Sequence, residues 1–166
     1  MSTQALVKVD DSVKRDALIQ LVSFMLADEE YGVEVLKVRE IIRMPTITKM
    51  PNVPQHVEGI INLRGKVIPI ISMRRRFGLM ENENSSQTRI IIMDVCGSLT
   101  GFIVDAVSEV IRIQSSEIQP PPAMVLSGGI GQEFITGVFN HAEILLIIMD
   151  IDLMFSDDER ESFGEI

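Results

Sequence analysis

The chain repeats itself, and the repeat limits its architecture more than any single motif does. Slid by 69 residues, Leu21 to Pro51 lies on Ile90 to Pro120 without a gap. Gly32 then meets Gly101, Val35 meets Val104, Val38 meets Val107 and Glu40 meets Glu109. Ile42-Arg43 meets Ile111-Arg112, and Pro51 meets Pro120. Beyond the Gly-rich stretch Ser127 to Gly131 the offset becomes 78, which sets Gly59-Ile60-Ile61-Asn62 on Gly137-Val138-Phe139-Asn140 and the run 67–71 on 145–149. A bias toward Val and Ile would align strands with strands, but it would not also align Gly, Glu, Arg and Pro. The match reads as a duplication.

Inside each copy, short Val/Ile-rich runs alternate with turn signals at strand spacing. They predict strands over 20–27, 31–37, 39–44, 58–63, 66–72, 88–96, 99–106, 108–114, 134–140 and 143–150. Hairpin turns are expected at Asp28-Glu29-Glu30 and at Gly97-Ser98. Helical signals are short: Ile71 to Phe77, stopped by Gly78, and Asp152 to Phe155, with Ser156 to Glu159 reading as an N-cap and acidic first turn. Glu81 to Gln87 reads as a polar connector, and Pro120-Pro121-Pro122 with Ser127 to Gly131 as a long loop. The expected layout is a flexible arm over 1–17, a folded region over 18–156 made of two intertwined barrel subdomains at about 18–84 and 85–156, and an acidic tail over 157–166. Five strands in about 60–70 residues would leave open edges liable to pair with other chains, so each copy is expected to close into a small barrel in an all-β fold. Two joined barrels would leave a groove between them, a common place for a ligand or peptide.

Charge excludes one class of partner. A net charge of −9 and a pI near 4.7 lack the positive footprint of a nucleic-acid binder. Arg74-Arg75-Arg76 is the local exception; without interleaved aromatics it reads as a solvated helical turn ahead of a phosphate-binding patch. Lys8, Asp10, Asp11, Lys14, Arg15 and Asp16 break up the apolar stretch that a signal peptide would need. The apolar runs, such as Ile144 to Met149, are strand-sized, against the roughly 20 residues of a spanning helix. The lone Cys96 suits a reducing compartment, so a cytoplasmic location without membrane insertion is expected.

No catalytic constellation assembles. His56 and His141 have no partner at metal-ligand spacing, and Cys96 has no activating neighbour in sequence. Gly128-Gly129-Ile130-Gly131 lacks the Lys-Ser/Thr of a phosphate loop. Asp150 and Asp152, two residues apart, read as a strand end and helix cap. Ser72, Ser108 and Ser127 lack a nucleophile elbow. Neither a cofactor nor a metal is expected.

The most distinctive segment is Gly59-Ile60-Ile61-Asn62-Leu63-Arg64-Gly65-Lys66-Val67-Ile68-Pro69. Gly65 supplies a turn conformation that other residues resist, and Arg64 projects a planar donor group from a rigid hairpin, either to brace it against a neighbouring carboxylate or carbonyl or to face a partner. Together with Asp28 to Val33, Val38-Arg39-Glu40-Ile41 and Gly101 to Val107, this segment resembles the CheW family of bacterial chemotaxis coupling proteins, over Leu21 to Met154. The resemblance implies two five-stranded SH3-like barrels and a non-catalytic adaptor that bridges chemoreceptor tips to the regulatory domain of the histidine kinase CheA. It implies a receptor groove with Val35, Val38 and Glu40, more weakly Val107 and Val110, and kinase-contact or coupling positions at Gly59, Asn62, Arg64 and Gly65. For the valines, core burial competes with that role. Ser72-Met73-Arg74 departs from the family's usual Asp-Leu-Arg, which leaves the acidic residue's ion pair without a member. Alternatives within the fold are a CheV-type coupler or a kinase regulatory domain, for which 166 residues leave no room for a further domain. A small-ligand-binding barrel is the alternative outside the family's role.

Overall fold

The computed structural model describes residues 16–121 and 134–155. The expected Gly-Gly loop at 128–131 and the acidic tail lie outside them. Ten strands follow in order: β1 Leu18–Leu26, β2 Glu29–Glu34, β3 Val38–Arg43, β4 Val57–Leu63, β5 Lys66–Ser72, β6 Arg89–Val95, β7 Ser98–Val104, β8 Ala106–Gln114, β9 Ile135–His141 and β10 Ile144–Met149. One short helix, α1 Met73–Arg76, follows β5. The expected helical turn near 152–155 is a 3-10 turn, Ile151–Met154, capped by Asp150, whose Oδ1 accepts from Asp152 N–H at 3.0 Å. The fold is all-β, as expected.

The strands form two five-stranded sheets, ordered β8-β1-β2-β10-β9 and β3-β6-β7-β5-β4. The repeat maps one order onto the other strand for strand. It also maps the registers: Leu21 opposite Ile111 corresponds to Ile90 opposite Ile42, and Ile148 beside Gly32 corresponds to Ile70 beside Gly101. The division near residue 84 separates the copies but not the sheets. β1 and β2 share a sheet with β8, β9 and β10, while β6 and β7 share one with β3, β4 and β5. Each copy thus lends its first hairpin to one sheet and the rest to the other, because the chain crosses between sheets after β2 and again after β7. One aligned pair fails in space. The bridges Thr48 to Ile60 and Gln119 to Val138 are equivalent, so the second copy holds two more residues here and Pro51 does not match Pro120.

The same bridges draw the open edges of each sheet together, β3 toward β4 and β8 toward β9, as barrel closure requires. Each barrel has its own small core. Leu21, Ile111, Ile113, Leu146 and Ile148 fill one; Ile61, Ile68, Ile70, Ile90 and Ile92 fill the other. A larger core lies between them, with Phe24, Leu26, Ile91, Met93, Phe102, Val104 and Phe155 among its buried members. This explains why β6 reads as an unbroken apolar run. Ile90 and Ile92 face one core while Ile91, Met93 and Val95 face the other, so both sides of the strand are dry.

Four local outcomes depart from the sequence reading. The strand expected over 31–37 ends at Glu34, and Val35–Lys37 is a 3-10 turn. Hairpin turns begin one residue earlier than expected: Ala27 has φ 54°, and Cys96-Gly97 has φ 51° and 87°. The arm is anchored where it meets β1, since Ala17 N–H donates to Ser115 Oγ at 3.0 Å and Ser116 N–H to Asp16 Oδ1 at 3.2 Å. The Arg74-Arg75-Arg76 run is neither solvated nor a phosphate site. Arg74 makes a two-pronged pair with Asp105 (2.9 and 2.6 Å), Arg75 pairs with Glu58 at 2.6 Å and with Glu81, and Arg76 lies over the Phe155 ring. Ser72, where the resemblance leads one to expect an acidic residue, caps α1 by accepting from Arg75 N–H at 3.3 Å.

Asp105 gives a pH prediction. The hydrogen bond from Arg74, helped by one from Ala27 N–H, holds its carboxyl below the usual 3.8. A lowered native pKa stabilises the fold at pH above the unfolded value, and this contribution is lost as pH falls through the native one. Asp105→Asn should therefore flatten the acid limb of a stability-against-pH curve below about pH 4. It should also cost about 1 kcal/mol at neutral pH, because the pair is partly solvated. Urea midpoints of both proteins from pH 2 to 8 test this; parallel acid limbs would refute it.

Candidate functional site

The candidate site begins with a bulge. On β3, the register against β6 slips between Val38 and Glu40, and β8 slips at the matching point against β1. A strand without such a slip would keep Val38 and Ile42 on one face. With it, Val38 packs on the core between the barrels while Ile42 packs inside one of them. Glu40 sits at the slip, on the edge strand of its sheet.

Across the gap between sheet edges stands the β4–β5 hairpin. Arg64 and Gly65 both take left-handed backbone, at φ 50° and 88°, the two-residue turn that matches strand twist. The side-chain oxygen of Asn62 accepts from Gly65 N–H at 2.9 Å and braces the turn. From this turn Arg64 reaches Glu40, donating from Nη1 to Oε2 at 3.1 Å and from Nη2 to Oε1. The fork-on-carboxylate geometry fixes orientation as well as charge. The Arg64 hydrogen bonds hold the Glu40 carboxyl below its ordinary range. The pair stands in solvent, so its contribution is to geometry more than to stability.

Glu40, a receptor-groove candidate, and Arg64, a kinase-contact or coupling candidate, are bonded to each other, as one of the two readings of Arg64 has it. Asn62 and Gly65 shape the turn that presents Arg64. Gly59 is buried, and a Cβ there would lie 2.2 Å from the Thr48 carbonyl oxygen; its role is close backbone approach. Val35, on the 3-10 turn, and Val38 are half-buried against the core between barrels, and so is Val107. Val107 and Val110 lie on the edge strand of the other sheet, with Val110 54% exposed. Glu109, between them, is the repeat partner of Glu40. It faces His141 at 3.5 Å, an ion pair only when the imidazole carries a proton.

Sequence reasoning missed Leu36 and Ile41, exposed apolar residues flanking the candidates, with Leu36 81% exposed. Strand alternation hides Leu36, because the 3-10 turn interrupts the period of two. Leu36, Val35, Leu18, Ile19, Gln20 and Glu34 line an open groove of about 210 Å³. A depression of about 750 Å³ elsewhere is lined by Arg74, Arg75, Asp105 and Glu58, which already hold one another. Among the described residues, no group of three His, Cys, Asp or Glu side chains could hold a metal ion, and no helix is long and apolar enough to cross a membrane.

Known proteins resemble this chain in sequence and fold. The CheW-like domain family matches residues 20–159. Chemotaxis protein CheW of Treponema pallidum is 36% identical over 155 residues, covering 91% of this chain and 90% of its own. Chemotaxis protein CheV3 of Helicobacter pylori is 29% identical over 129 residues, 76% of this chain and 41% of its own. The crystal structure of the scaffolding protein TtCheW from Thermoanaerobacter tengcongensis superposes with a TM-score of 0.77 at 39% identity, over 84% of this chain and 94% of that one. The family match over most of the chain and the likeness of fold agree: the chain belongs to the CheW family.

Proposed function

We propose that this protein is a non-catalytic coupler that holds chemoreceptor tips and the regulatory domain of the kinase CheA together in chemotaxis signalling. Val35, Val38 and Glu40 meet the receptor; Arg64, braced by Asn62 and Gly65, presents the kinase side; Val107 and Val110 extend the receptor surface more weakly. The observation that carries the reading is the Glu40–Arg64 pair, which joins the two sets through one two-pronged contact. An amphipathic receptor helix could lay its apolar anchors along Val35 and Val38 and meet the Glu40 carboxylate with a basic or amide group. The body between the contacts is stiff, since one shared core spans both barrels. Signal would pass by position, in a protein that works among membrane-bound receptors without entering the membrane.

Substituting Glu40 with Arg should weaken binding to receptor-tip fragments at least about tenfold, since a like charge then faces both the partner and Arg64. The fold should persist, because the pair is solvated. Val38→Arg should weaken binding similarly with some loss of stability, as Val38 is half-buried. Binding to immobilised receptor tips, with thermal melts alongside, measures both. Parent-like binding by both variants would refute the groove assignment.

A further inference from the structure

The chain crosses between sheets twice, and each crossing is tied down by one ion pair. After β7 the chain crosses at Asp105, which binds Arg74 on α1, just past β5. Asp105 also accepts from Ala27 N–H in the β1–β2 turn at 2.8 Å. After β2 the chain crosses through Val35–Lys37, where Lys37 Nζ donates to Asp152 Oδ2 at 2.7 Å, just past β10. Asp152 also accepts, through Oδ1, from Cys96 N–H in the β6–β7 turn at 3.3 Å.

These sites are repeat equivalents. The offset of 78 carries Arg74 onto Asp152, and the offset of 69 carries Ala27 onto Cys96. Asp105 corresponds to Leu36, one position before Lys37. The same three-way tie of crossing, post-strand turn and hairpin therefore occurs in both copies with its charges exchanged. The two ties differ in what they hold. Asp105 and Arg74 secure a well-covered corner, whereas Lys37 secures the 3-10 turn that carries Val35 and leads into Val38.

We propose that Lys37 and Asp152 are positioning residues of the partner groove, a latch that sets where Val35 and Val38 stand relative to the barrels. The proposal rests on the reading that this groove meets the receptor. Lys37 and Asp152 act through the turn and need not touch the partner. Asp94 and Asp150 add to the negative field at Lys37, so the latch draws on a local acidic cluster as well as one contact. The twin with opposite polarity implies that the geometry tolerates a charge exchange.

The test uses the whole chain with Lys37→Asp, Asp152→Arg and the two combined, which recreates the polarity of the Asp105–Arg74 tie. Hydrogen–deuterium exchange over 34–38 should quicken about threefold to fivefold in each single variant and return toward the parent rate in the double. Exchange over 104–107 should stay unchanged. Affinity for receptor-tip fragments should fall in the singles by a similar factor and recover in the double. A general structural loss would not be rescued by reversing both charges. Unchanged exchange over 34–38 in the singles, or a double variant no better than either, would overturn the latch. If exchange follows the expected pattern while affinity never moves, and Val38→Arg also binds normally, the groove reading falls and the latch stands as a structural device.

Discussion

Phe102→Ala is expected to destabilise the protein by about 3–5 kcal/mol and to weaken both barrels together. Phe102 has no exposed surface and lies in the core between the sheets, with its ring centroid 6.1 Å from that of Phe155. That core takes side chains from β1, β2, β5, β6 and β7, so it belongs to neither barrel. If it makes the two barrels one cooperative unit, urea unfolding of the variant should remain a single transition at a lower midpoint, with the same slope by every probe. Two separated transitions would mean that the barrels fold independently and that the shared core is only a contact. The comparison variant is Leu146→Ala, which empties one barrel's own core and should also lower a single shared midpoint.

Gly59→Ala should be nearly as damaging although it adds one carbon. Its Cβ would lie 2.2 Å from Thr48 O and 2.8 Å from the Ile47 side chain. Backbone is the obstacle, so the segment that follows β3 must pull away from β4 and break the bridge in which Thr48 and Ile60 exchange hydrogen bonds at 2.9 Å. We expect a loss of about 3 kcal/mol. Gly101→Ala meets the Cδ1 end of Ile70 at 2.5 Å and the Cγ2 methyl of Ile90 at 2.8 Å, side chains and not backbone, and should cost less. Gly32→Ala meets side chains of Leu146 and Leu21 only at 3.3–3.4 Å and should be the mildest of the three. Thermal or urea unfolding of the set tests the order. A Gly59→Ala protein as stable as Gly32→Ala would show that Gly59 is kept free for a partner and not for packing.

Much of this architecture was legible in the sequence because the duplication preserved it. Ten strands, their order within each copy and the hairpin at Asn62 to Lys66 follow from periodicity and turn chemistry. The exchange of hairpins between sheets does not, since alternation says which face of a strand is buried but not which neighbour it pairs with. Val35 shows the same limit at one residue. The run from Tyr31 to Lys37 alternates well enough for a strand, and only the crossing to the other sheet bends it into a 3-10 turn and pushes Leu36 outward. The Arg74 to Arg76 run looked solvated because its carboxylate partners Asp105, Glu58 and Glu81 are distant or unremarkable in sequence. Glu40 and Arg64 were each recognisable from their motifs. That they bind one another follows only from edge closure, which brings β3 to the β4–β5 turn.

The central claim is coupling, and it is best measured as kinase autophosphorylation in the presence of receptor-bearing membranes, with sedimentation of all three components followed in the same samples. The account predicts that this protein sediments with the membranes, carries the kinase with it, and raises receptor-controlled kinase activity. It also predicts that Val38→Arg, which leaves the Glu40–Arg64 pair in place, loses the membranes while keeping the kinase. A protein that leaves both the sedimentation and the activity of the kinase unchanged would contradict the account and leave the groove to some other partner.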